Sequence, residues 1–402
     1  MENFETFKPT ITAKGFRTAV KDYNEDSVIE ELAANSYDED ASTVIVLLDQ
    51  KNNSLYIIDD GNGFTETSIK EVTTLGGGDK NSSPYSKSKR AYLGSYGYGL
   101  KSTLNISNKV QITSASQSGA YSAEIDWSIL DQALSSDFTG YKYKKSTRLG
   151  EMGTGTIIQL SLKNPTTKIH LEQFGRVLGN LPKDDGKFEC YCGFFENCND
   201  LIRSYFTSFK NLKKIAQTAY KKGKLSLASR SLDSELEECT IENIKDKDDA
   251  SVEAKIFFAG IDGDKIKTLK ETLRGIYVRV HGRLLKHNFS EDKYVYGISK
   301  YQMFKQGLRI EISIDWLRDQ ISLSRDGIKF SNEKLEKDFK SIVSRITGKF
   351  IRPKIEALQK KKNKRIDLKL KQRIELADKR VNNETGIKIK LIKDGFNFRP
   401  GS

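Results

Sequence analysis

The chain has 402 residues, enough for two or three domains with hydrophobic cores of their own. Hydrophobic residues make up 37% of it and charged residues 30%, which is typical of a globular protein with a densely charged surface. No apolar run reaches the roughly 18 to 20 residues that a membrane-spanning helix requires, and residues 1–6 lack the apolar segment of a secretory signal. We therefore expect a cytoplasmic protein (nuclear in a eukaryote) without a membrane partner.

The net charge of +13 is concentrated at the carboxyl end. Residues 333–402 contain 21 Lys and Arg and 9 Asp and Glu, which accounts for nearly the whole surplus. A basic tail of this kind predicts a polyanionic partner, with nucleic acid as the first candidate. The alternative is a solvated basic helix that only aids solubility.

Four cysteines are too few to staple a chain of this length with disulfides. Three of them cluster, Cys190, Cys192 and Cys198, but without the paired spacing of a zinc site. We expect reduced, partly buried thiols.

The first predicted elements are a helix and a hairpin. Residues 1–23 show no clear period and are interpreted as an arm leading into a helix that Asn24 or Asp26 would cap. The β-branched run 43–48 and the run 55–58 flank a polar turn and predict a β-hairpin.

The middle of the chain alternates short elements with glycine-rich stretches. We predict a helix over 65–75, then a polar segment over 76–91 that cannot bury itself and should be mobile. A helix is predicted to begin at Leu100 and end near Ile106. Strands are predicted over 109–114, 120–126, 156–162, 254–259, 275–280 and 308–314, and helices over 171–181 and 201–222.

The basic tail is predicted to be helical from 333 to about 380. Gly348 and Pro353 should break that helix into two. Residues 386–398 are interpreted as a short hairpin or a docking arm.

Four polar or glycine-rich motifs follow one another within about 130 residues. They are the helical pair Glu31 and Asn35, then Asp59-x-Gly61-x-Gly63, Gly94-x-x-Gly97-x-Gly99, and Gly155-Thr156. Each motif also has an ordinary structural interpretation, as a solvent-exposed helix face or as a turn. Their ordered combination is far less expected by chance and favours a nucleotide site.

This ordered set resembles the GHKL ATPase superfamily, which includes DNA gyrase B, heat-shock chaperones, histidine kinases and MutL. The resemblance covers about residues 22–163 and extends more faintly to about residue 330. Residues 31–41 are similar to the first motif of gyrase, MutL and the chaperones. Residues 93–102 look most like the phosphate motif of the MORC proteins.

The resemblance implies an α+β fold. The expected architecture is a Bergerat-type ATP-binding sandwich, with helices on one face of a mixed sheet, followed by a ribosomal-S5-like α/β transducer domain and a basic helical tail. The corresponding divisions are an arm (1–22), the ATPase domain (23–185), a helical connector (186–238), the transducer domain (239–335) and the tail (336–402).

The implied cofactors are ATP and Mg2+. Residues four apart share a helix face, so Asn35 could offer its amide oxygen to Mg2+ while Glu31 activates a water. Asp59 would accept the adenine amine with support from Thr156, and Gly61 and Gly63 would leave room for the base.

The glycines Gly94, Gly97 and Gly99 would bind phosphate through backbone amides, near the N-terminus of the helix at Leu100. Lys101 could add charge there or face solvent, and 76–91 would form a lid over ATP. The resemblance also assigns Asp38, Lys80, Tyr96 and Tyr98 to the nucleotide site.

The second domain is expected to supply a cation to the γ-phosphate. Arg325 is similar in position to the chaperones' arginine, and Lys329 is the alternative, because MutL-like and MORC-like proteins use lysine. A plain surface charge is an equally open interpretation of both. The stretch 277–285 is similar to the strand and turn that open the second domain's core in MutL and MORC proteins.

The favoured function is an ATP hydrolase that acts as an ATP-gated dimeric clamp on DNA, in surveillance, silencing or anti-phage defence. A separate effector subunit could carry the output, since no nuclease-like cluster is evident in the tail. The alternatives are a chaperone-type ATPase acting on protein clients and a protein kinase of the same fold. Glu31 disfavours the kinase, because the histidine kinases of the superfamily typically lack that base.

Overall fold

The computed structural model of the protein describes most of both globular regions and the long basic helix. The described residues are 13–72, 85–93, 99–131, 141–146, 153–165, 168–182, 187–198, 209–228, 240–245, 252–258, 261–262, 265–266, 273–291, 307–321 and 327–385.

The helices are α1 (Ala13–Val20), α2 (Glu25–Asp38), α3 (Glu66–Lys70), α4 (Lys168–Leu178), α5 (Leu212–Lys221), α6 (Glu333–Ile346) and α7 (Arg352–Thr385). The strands of the first sheet are β1 (Thr43–Asp49), β2 (Ser54–Asp59), β3 (Ser107–Ser116), β4 (Gly119–Asp126), β5 (Tyr141–Ser146), β6 (Gly155–Leu162), β7 (Glu189–Phe195) and β8 (Ser226–Leu227). The later strands are β9 (Thr240–Lys245), β10 (Val252–Phe258), β11 (Ile261–Asp262), β12 (Lys265–Ile266), β13 (Gly275–Val280), β14 (Arg283–Leu284) and β15 (Leu308–Ile314).

The first eight strands form one mixed sheet in the order β5-β4-β3-β6-β2-β1-β7-β8. The predicted hairpin is confirmed, since β1 and β2 pair antiparallel with Val44 opposite Asp59. β1 also pairs with β7 in parallel, which makes β1 a central strand buried along its whole length. This explains its continuous apolar sequence, because both of its faces need cover.

Alternate residues of β1 enter two different cores. Val44 and Val46 face a core shared with α1, α2 and α4, as expected for helices packed on one face of the sheet. Ile45 and Leu47 face the other side, where α5 covers part of the sheet with Leu212, Ala216 and Ala219. As predicted, helices pack on one face of the sheet, namely α1, α2 and α4. The helix α5 packs on the opposite face, which the prediction did not include.

The predicted arm over 1–22 contains a helix. Phe16 and Val20, one turn apart on α1, are buried in the first core, and the ring of Phe16 lies 5.7 Å from that of Trp127. The pattern was missed because these two apolar residues are surrounded by Lys, Arg and Thr. Burial of these two side chains in the first core stabilises this short helix.

The domain boundary predicted at residue 185 is too early. β7 and β8 lie beyond it and complete the same sheet, with Val44 opposite Cys190 and Val46 opposite Cys192. These cysteines are buried and free, as expected, and burial raises the pKa of the Cys192 thiol to about 12. They act as small apolar side chains in the core of β7.

The second domain has a five-stranded sheet in the order β14-β13-β15-β10-β9. Its core packs Ile310 and Ile312 of β15 against Phe339 and Val343 of α6. Since α6 belongs to this core, the tail predicted from residue 336 begins further along the chain. The α/β layering agrees with the second domain expected from the sequence, while its S5-like topology stays a prediction.

The described part of the basic tail, which ends at Thr385, is helical, as predicted. A π-helical stretch, Thr347–Ile351, separates α6 from α7 and contains Gly348, one of the two expected breaks. α7 leaves Ile366, Leu370 and Ile374 exposed among many basic residues. None of the helices in the described ranges is both long and apolar enough to cross a membrane. Residues 386–398 lie outside the described part of the chain.

Candidate nucleotide site

Helix α2 positions the first two candidate residues. Asn24 caps it, as one of the two predicted caps, by accepting a hydrogen bond from the Ser27 amide at 2.9 Å. Glu31 is only 5% exposed, whereas Asn35, one turn later, is half-buried. The pair therefore shares one helix face, with the carboxylate deeper than the amide.

Asp59 is the last residue of β2 and lies against α2. Its carboxylate, 5% exposed, accepts hydrogen bonds from the Ser36 hydroxyl and the Gly61 amide, both at 2.9 Å. These bonds fix the end of β2 beside the helix that carries Glu31 and Asn35. Ser36 was not among the predicted site residues, although it directly follows Asn35.

The environment of Asp59 perturbs its protonation. Burial raises its pKa to about 7, against the opposing hydrogen bonds from Gly61 and Ser36, and the nearby charges of Asp60 and Glu39 add to the rise. A buried carboxyl that titrates near neutrality at a strand end is typical of a functional site.

This pKa predicts how the stability of the empty protein depends on pH. Because the folded pKa of Asp59 is raised above its unfolded value, its stabilising contribution is complete below about pH 4 and is lost as the pH rises through 7. Between pH 5 and pH 8 the wild type should lose about 3 kcal/mol relative to Asp59→Asn. Urea unfolding of both proteins at the two pH values measures this, and parallel pH curves would contradict it.

Thr156 lies directly across from Asp59, since β2 and β6 pair them in register. Its hydroxyl is 3.1 Å from that of Ser114, which accepts a hydrogen bond from the Phe64 amide at 2.8 Å. Gly63 precedes Phe64 with a φ of +72°, and a Cβ there would lie 2.1 Å from the Ala115 carbonyl oxygen. A glycine is needed here because the loop after β2 packs directly against the β3 backbone and leaves no space for a Cβ atom. Ser114 was another residue that the sequence interpretation missed.

The phosphate motif is described only at its end. Gly94, Tyr96, Gly97 and Tyr98, together with Lys80, lie outside the described residues. Gly99 contacts Asn35 so closely that a Cβ would come within 2.5 Å of the Asn35 Nδ2 atom. The end of the predicted phosphate loop therefore abuts the predicted metal ligand.

The helix predicted at Leu100 is a five-residue 3-10 helix, Lys101–Asn105. The Ser102 and Thr103 hydroxyls donate to the carbonyls of Gly99 and Leu100, at 2.6 Å each, and so compete with regular helical hydrogen bonding. So short a helix aligns fewer peptide dipoles than a longer α-helix would, and its contribution to phosphate binding stays a prediction. Lys101 is only 5% exposed, which excludes the solvent-facing alternative.

Two aspartates anchor the chain that precedes the phosphate motif. Asp38 accepts a hydrogen bond from the Leu93 amide at 2.7 Å, and Asp40 accepts from Ser86 and Ser88. Within the segment predicted to be mobile, residues 85–91 are thus tied to the end of α2. The resemblance assigns Asp38 to nucleotide binding. In the structure, its carboxylate bonds to the backbone just before the phosphate motif.

The second domain reaches the site through an arginine that was not predicted. Arg283, 2% exposed, makes ion pairs with Glu30 through Nε and with Glu31 through Nη2, both at 2.9 Å. Burial by itself lowers the pKa of Arg283, but the charges of Glu30 and Glu31 raise it above its ordinary value, so the guanidinium stays charged. No local pattern could reveal this contact, because about 250 residues separate its partners.

The two predicted second-domain cations are placed differently. Lys329 is exposed, and its backbone amide donates to the Gln320 carbonyl. Its side chain makes no ion pair with Glu31 among the described residues. Arg325 lies outside the described part of the chain. Both assignments stay predictions.

The fold and the site together define an ATP-binding domain of the GHKL type: a mixed sheet under helices, a helix bearing Glu31 and Asn35, and a buried aspartate at the end of β2. Residues 23–156 match the family described as histidine kinase-, DNA gyrase B-, and HSP90-like ATPase. This match supports a GHKL-type ATPase domain over residues 23–156. The matched region runs from the start of α2 to Thr156. No curated protein matches the chain.

Proposed function

We propose that this protein hydrolyses ATP and uses the cycle to switch the arrangement of its domains. The observation that carries the proposal is Glu31, a buried carboxylate one helical turn before Asn35 and at the domain contact. A carboxylate in this place can take a proton from a water, which favours transfer of the γ-phosphate to water over transfer to a protein side chain. Phosphate release from ATP by the Glu31→Gln variant tests this role.

In this proposal, the adenine is recognised by Asp59, whose carboxylate accepts the exocyclic amine, with Thr156 beside it in register. Because Gly63 has no Cβ atom, its loop can pack closely against β3, which would leave room for the base. Phosphates would lie at the Gly99 end of the glycine-rich motif, against Asn35.

The residues present fit a Mg2+ ion bound together with ATP. Mg2+ usually takes one or two protein oxygens and completes its shell with waters and phosphates. Asn35 offers an amide oxygen, is half-buried, and abuts the phosphate motif at Gly99. When bound, the ion neutralises phosphate charge, while Glu31 remains available to accept the proton of the attacking water.

We also propose that ATP closes the protein into a dimeric clamp on DNA, in the manner of MutL-like and MORC-like proteins. The exposed helix α7 carries 12 Lys and Arg against 5 Asp and Glu, a surface suited to a phosphate backbone. Light scattering after size exclusion should show a doubled mass with a non-hydrolysable ATP analogue. A monomer under both conditions would contradict the clamp.

Removal of residues 359–402 should abolish DNA binding. The deleted part carries 14 Lys and Arg and 5 Asp and Glu, while Ile351 and Ile355 stay in the core of the second domain. With the full chain, DNA affinity should fall steeply with salt, about 10-fold or more between 50 and 200 mM if several phosphates are contacted. Fluorescence anisotropy with a labelled duplex measures both effects.

Three exposed basic residues of α7 allow a milder version of this test. Replacing Lys369, Lys371 and Arg373 by Gln should weaken DNA binding without shortening the helix. If the truncated protein binds DNA as tightly as the full chain, the DNA proposal fails. A chaperone-type role on protein clients then becomes the better interpretation of the same ATPase domain.

A further inference from the structure

We propose that Arg283 is a positioning residue for Glu31, through which the docked second domain holds the water-activating carboxylate in place. The inference rests on the proposed function, because it takes Glu31 as the base. It goes beyond that function by making hydrolysis depend on a contact between the two domains.

The contact has the geometry of a fixed, buried pair. Arg283 is held on one side by Glu30 and on the other by Glu31, at 2.9 Å in each case. All three side chains are almost fully buried. A planar guanidinium that bridges two carboxylates restricts the rotamers of Glu31, because any other one would break its ion pair with Arg283.

Glu30 and Glu31 need this cation together. They are consecutive residues of α2, and two buried carboxylates so close repel each other. Lys286 also approaches Glu30, at 3.6 Å. Removing the guanidinium alone would therefore take this compensating positive charge away from both carboxylates.

The two ion pairs of the guanidinium leave one of its nitrogen atoms unused. Among the described residues, Nη1 of Arg283 is buried and has no hydrogen-bond partner. The two ion pairs therefore use Nε and Nη2, and Nη1 makes no hydrogen bond to Glu30 or Glu31.

Arg283 is placed by the docking of the turn that carries it. The Leu284 amide donates to the Asn180 carbonyl at 3.0 Å, and the Lys286 ammonium donates to the Ser27 hydroxyl at 2.7 Å. Gly282 lies against Pro182, which a Cβ would approach to 3.2 Å. The turn thus contacts the first domain at α2 and after α4, and any shift of the second domain moves the guanidinium away from Glu31.

The test uses the full-length protein with Arg283→Gln, Arg283→Lys and the matched control Lys286→Gln. The control removes a cation from the same turn, with its contacts to Ser27 and Glu30, but spares the pair with Glu31. We expect Arg283→Gln to lower kcat for ATP hydrolysis about 100-fold, the cost of a displaced catalytic group, with the Kd for a fluorescent ATP analogue within about 3-fold. Arg283→Lys should recover part of the rate, and Lys286→Gln should keep kcat within about 3-fold of the wild type.

A second measurement does not depend on catalysis. In a double-mutant cycle on the urea midpoint, Arg283→Gln and Glu31→Gln together should destabilise less than the sum of the two single changes. Additive effects, an unchanged kcat in Arg283→Gln, or a rate loss equal to that of Lys286→Gln would overturn the role of Arg283. The cycle could show coupling between Arg283 and Glu31 while the wild type releases no phosphate from ATP. That result would contradict the proposed hydrolysis, and with it the positioning role.

Discussion

Glu31→Gln is expected to lower kcat for ATP hydrolysis by at least about 100-fold while ATP binding persists. The replacement keeps the shape of the side chain and removes its ability to take a proton from water. Asn35, Asp59 and Thr156, which we assign to the metal and the adenine, are untouched by it. Phosphate release at saturating ATP, together with the affinity for a fluorescent ATP analogue, separates the loss of catalysis from a loss of binding.

Glu30→Gln is the matched control for this substitution. Glu30 is the neighbouring carboxylate, equally buried and paired with the same Arg283, so its replacement removes the same charge from the same cluster. Since Glu30 is not the proposed base, we expect a rate loss below about 10-fold. Full turnover in Glu31→Gln, or equal losses in the two variants, would show that Glu31 does not activate the water.

At pH 8, where Asp59 is mostly ionised, Asp59→Asn is expected to weaken ATP binding by about 100-fold, because hydrogen bonds to an ionised acceptor are among the strongest polar contacts. The asparagine keeps one acceptor oxygen but loses the charge and introduces donors into a buried place. The bonds that Asp59 accepts from Ser36 and Gly61 then compete with the adenine for that single oxygen. Isothermal titration with ATP and Mg2+ measures the change in affinity.

Asp60→Asn supplies the comparison for Asp59. Asp60 accepts hydrogen bonds from the amides of Ser42 and Thr43 and from the Ser42 hydroxyl, so it ties the start of β1 to the end of β2. Its replacement should cost stability, about 1 to 3 kcal/mol, and leave the affinity of the folded protein for ATP near that of the wild type. Wild-type affinity in Asp59→Asn would remove the adenine assignment.

The elements nearest the site are those with the strongest local signals. Helix α2 has a capping residue, Asn24, and the hairpin of β1 and β2 has two apolar runs around a polar turn. Glu31, Asn35 and Asp59 lie on these elements, and the family resemblance of the ordered motifs predicts that they share one site. The sequence also predicted β13 and β15 with the bounds that the structure has.

What the sequence could not predict depends on contacts between distant segments. β7 is held by its parallel pairing with β1, about 145 residues earlier, and α1 by burial of Phe16 and Val20. Ser114 enters the site because β3 lies next to β6. The helix predicted at Leu100 is a 3-10 helix in which the Ser102 and Thr103 hydroxyls donate to carbonyls three residues earlier, a local bonding pattern that apolar periodicity does not indicate.

Arg283 is the clearest of these long-range cases. The sequence drew attention to its strand and turn but placed the second domain's cation at Arg325 or Lys329. The guanidinium is recognisable only once the two domains are seen in contact, because its buried partners, Glu30 and Glu31, have no periodic relation to it. A charged side chain that is buried between two domains must be paired with an opposite charge, so the contact that Arg283 makes is specific.

The most direct test of the central claim follows the γ-phosphate of labelled ATP with the wild-type, full-length protein and Mg2+. We predict that the label is released as inorganic phosphate over repeated turnovers, since Glu31 is placed to activate water. Label that stays on the protein would show phosphoryl transfer to a side chain, the kinase chemistry that Glu31 disfavours. ATP that remains intact at saturating concentration would contradict the hydrolysis that we propose for this site.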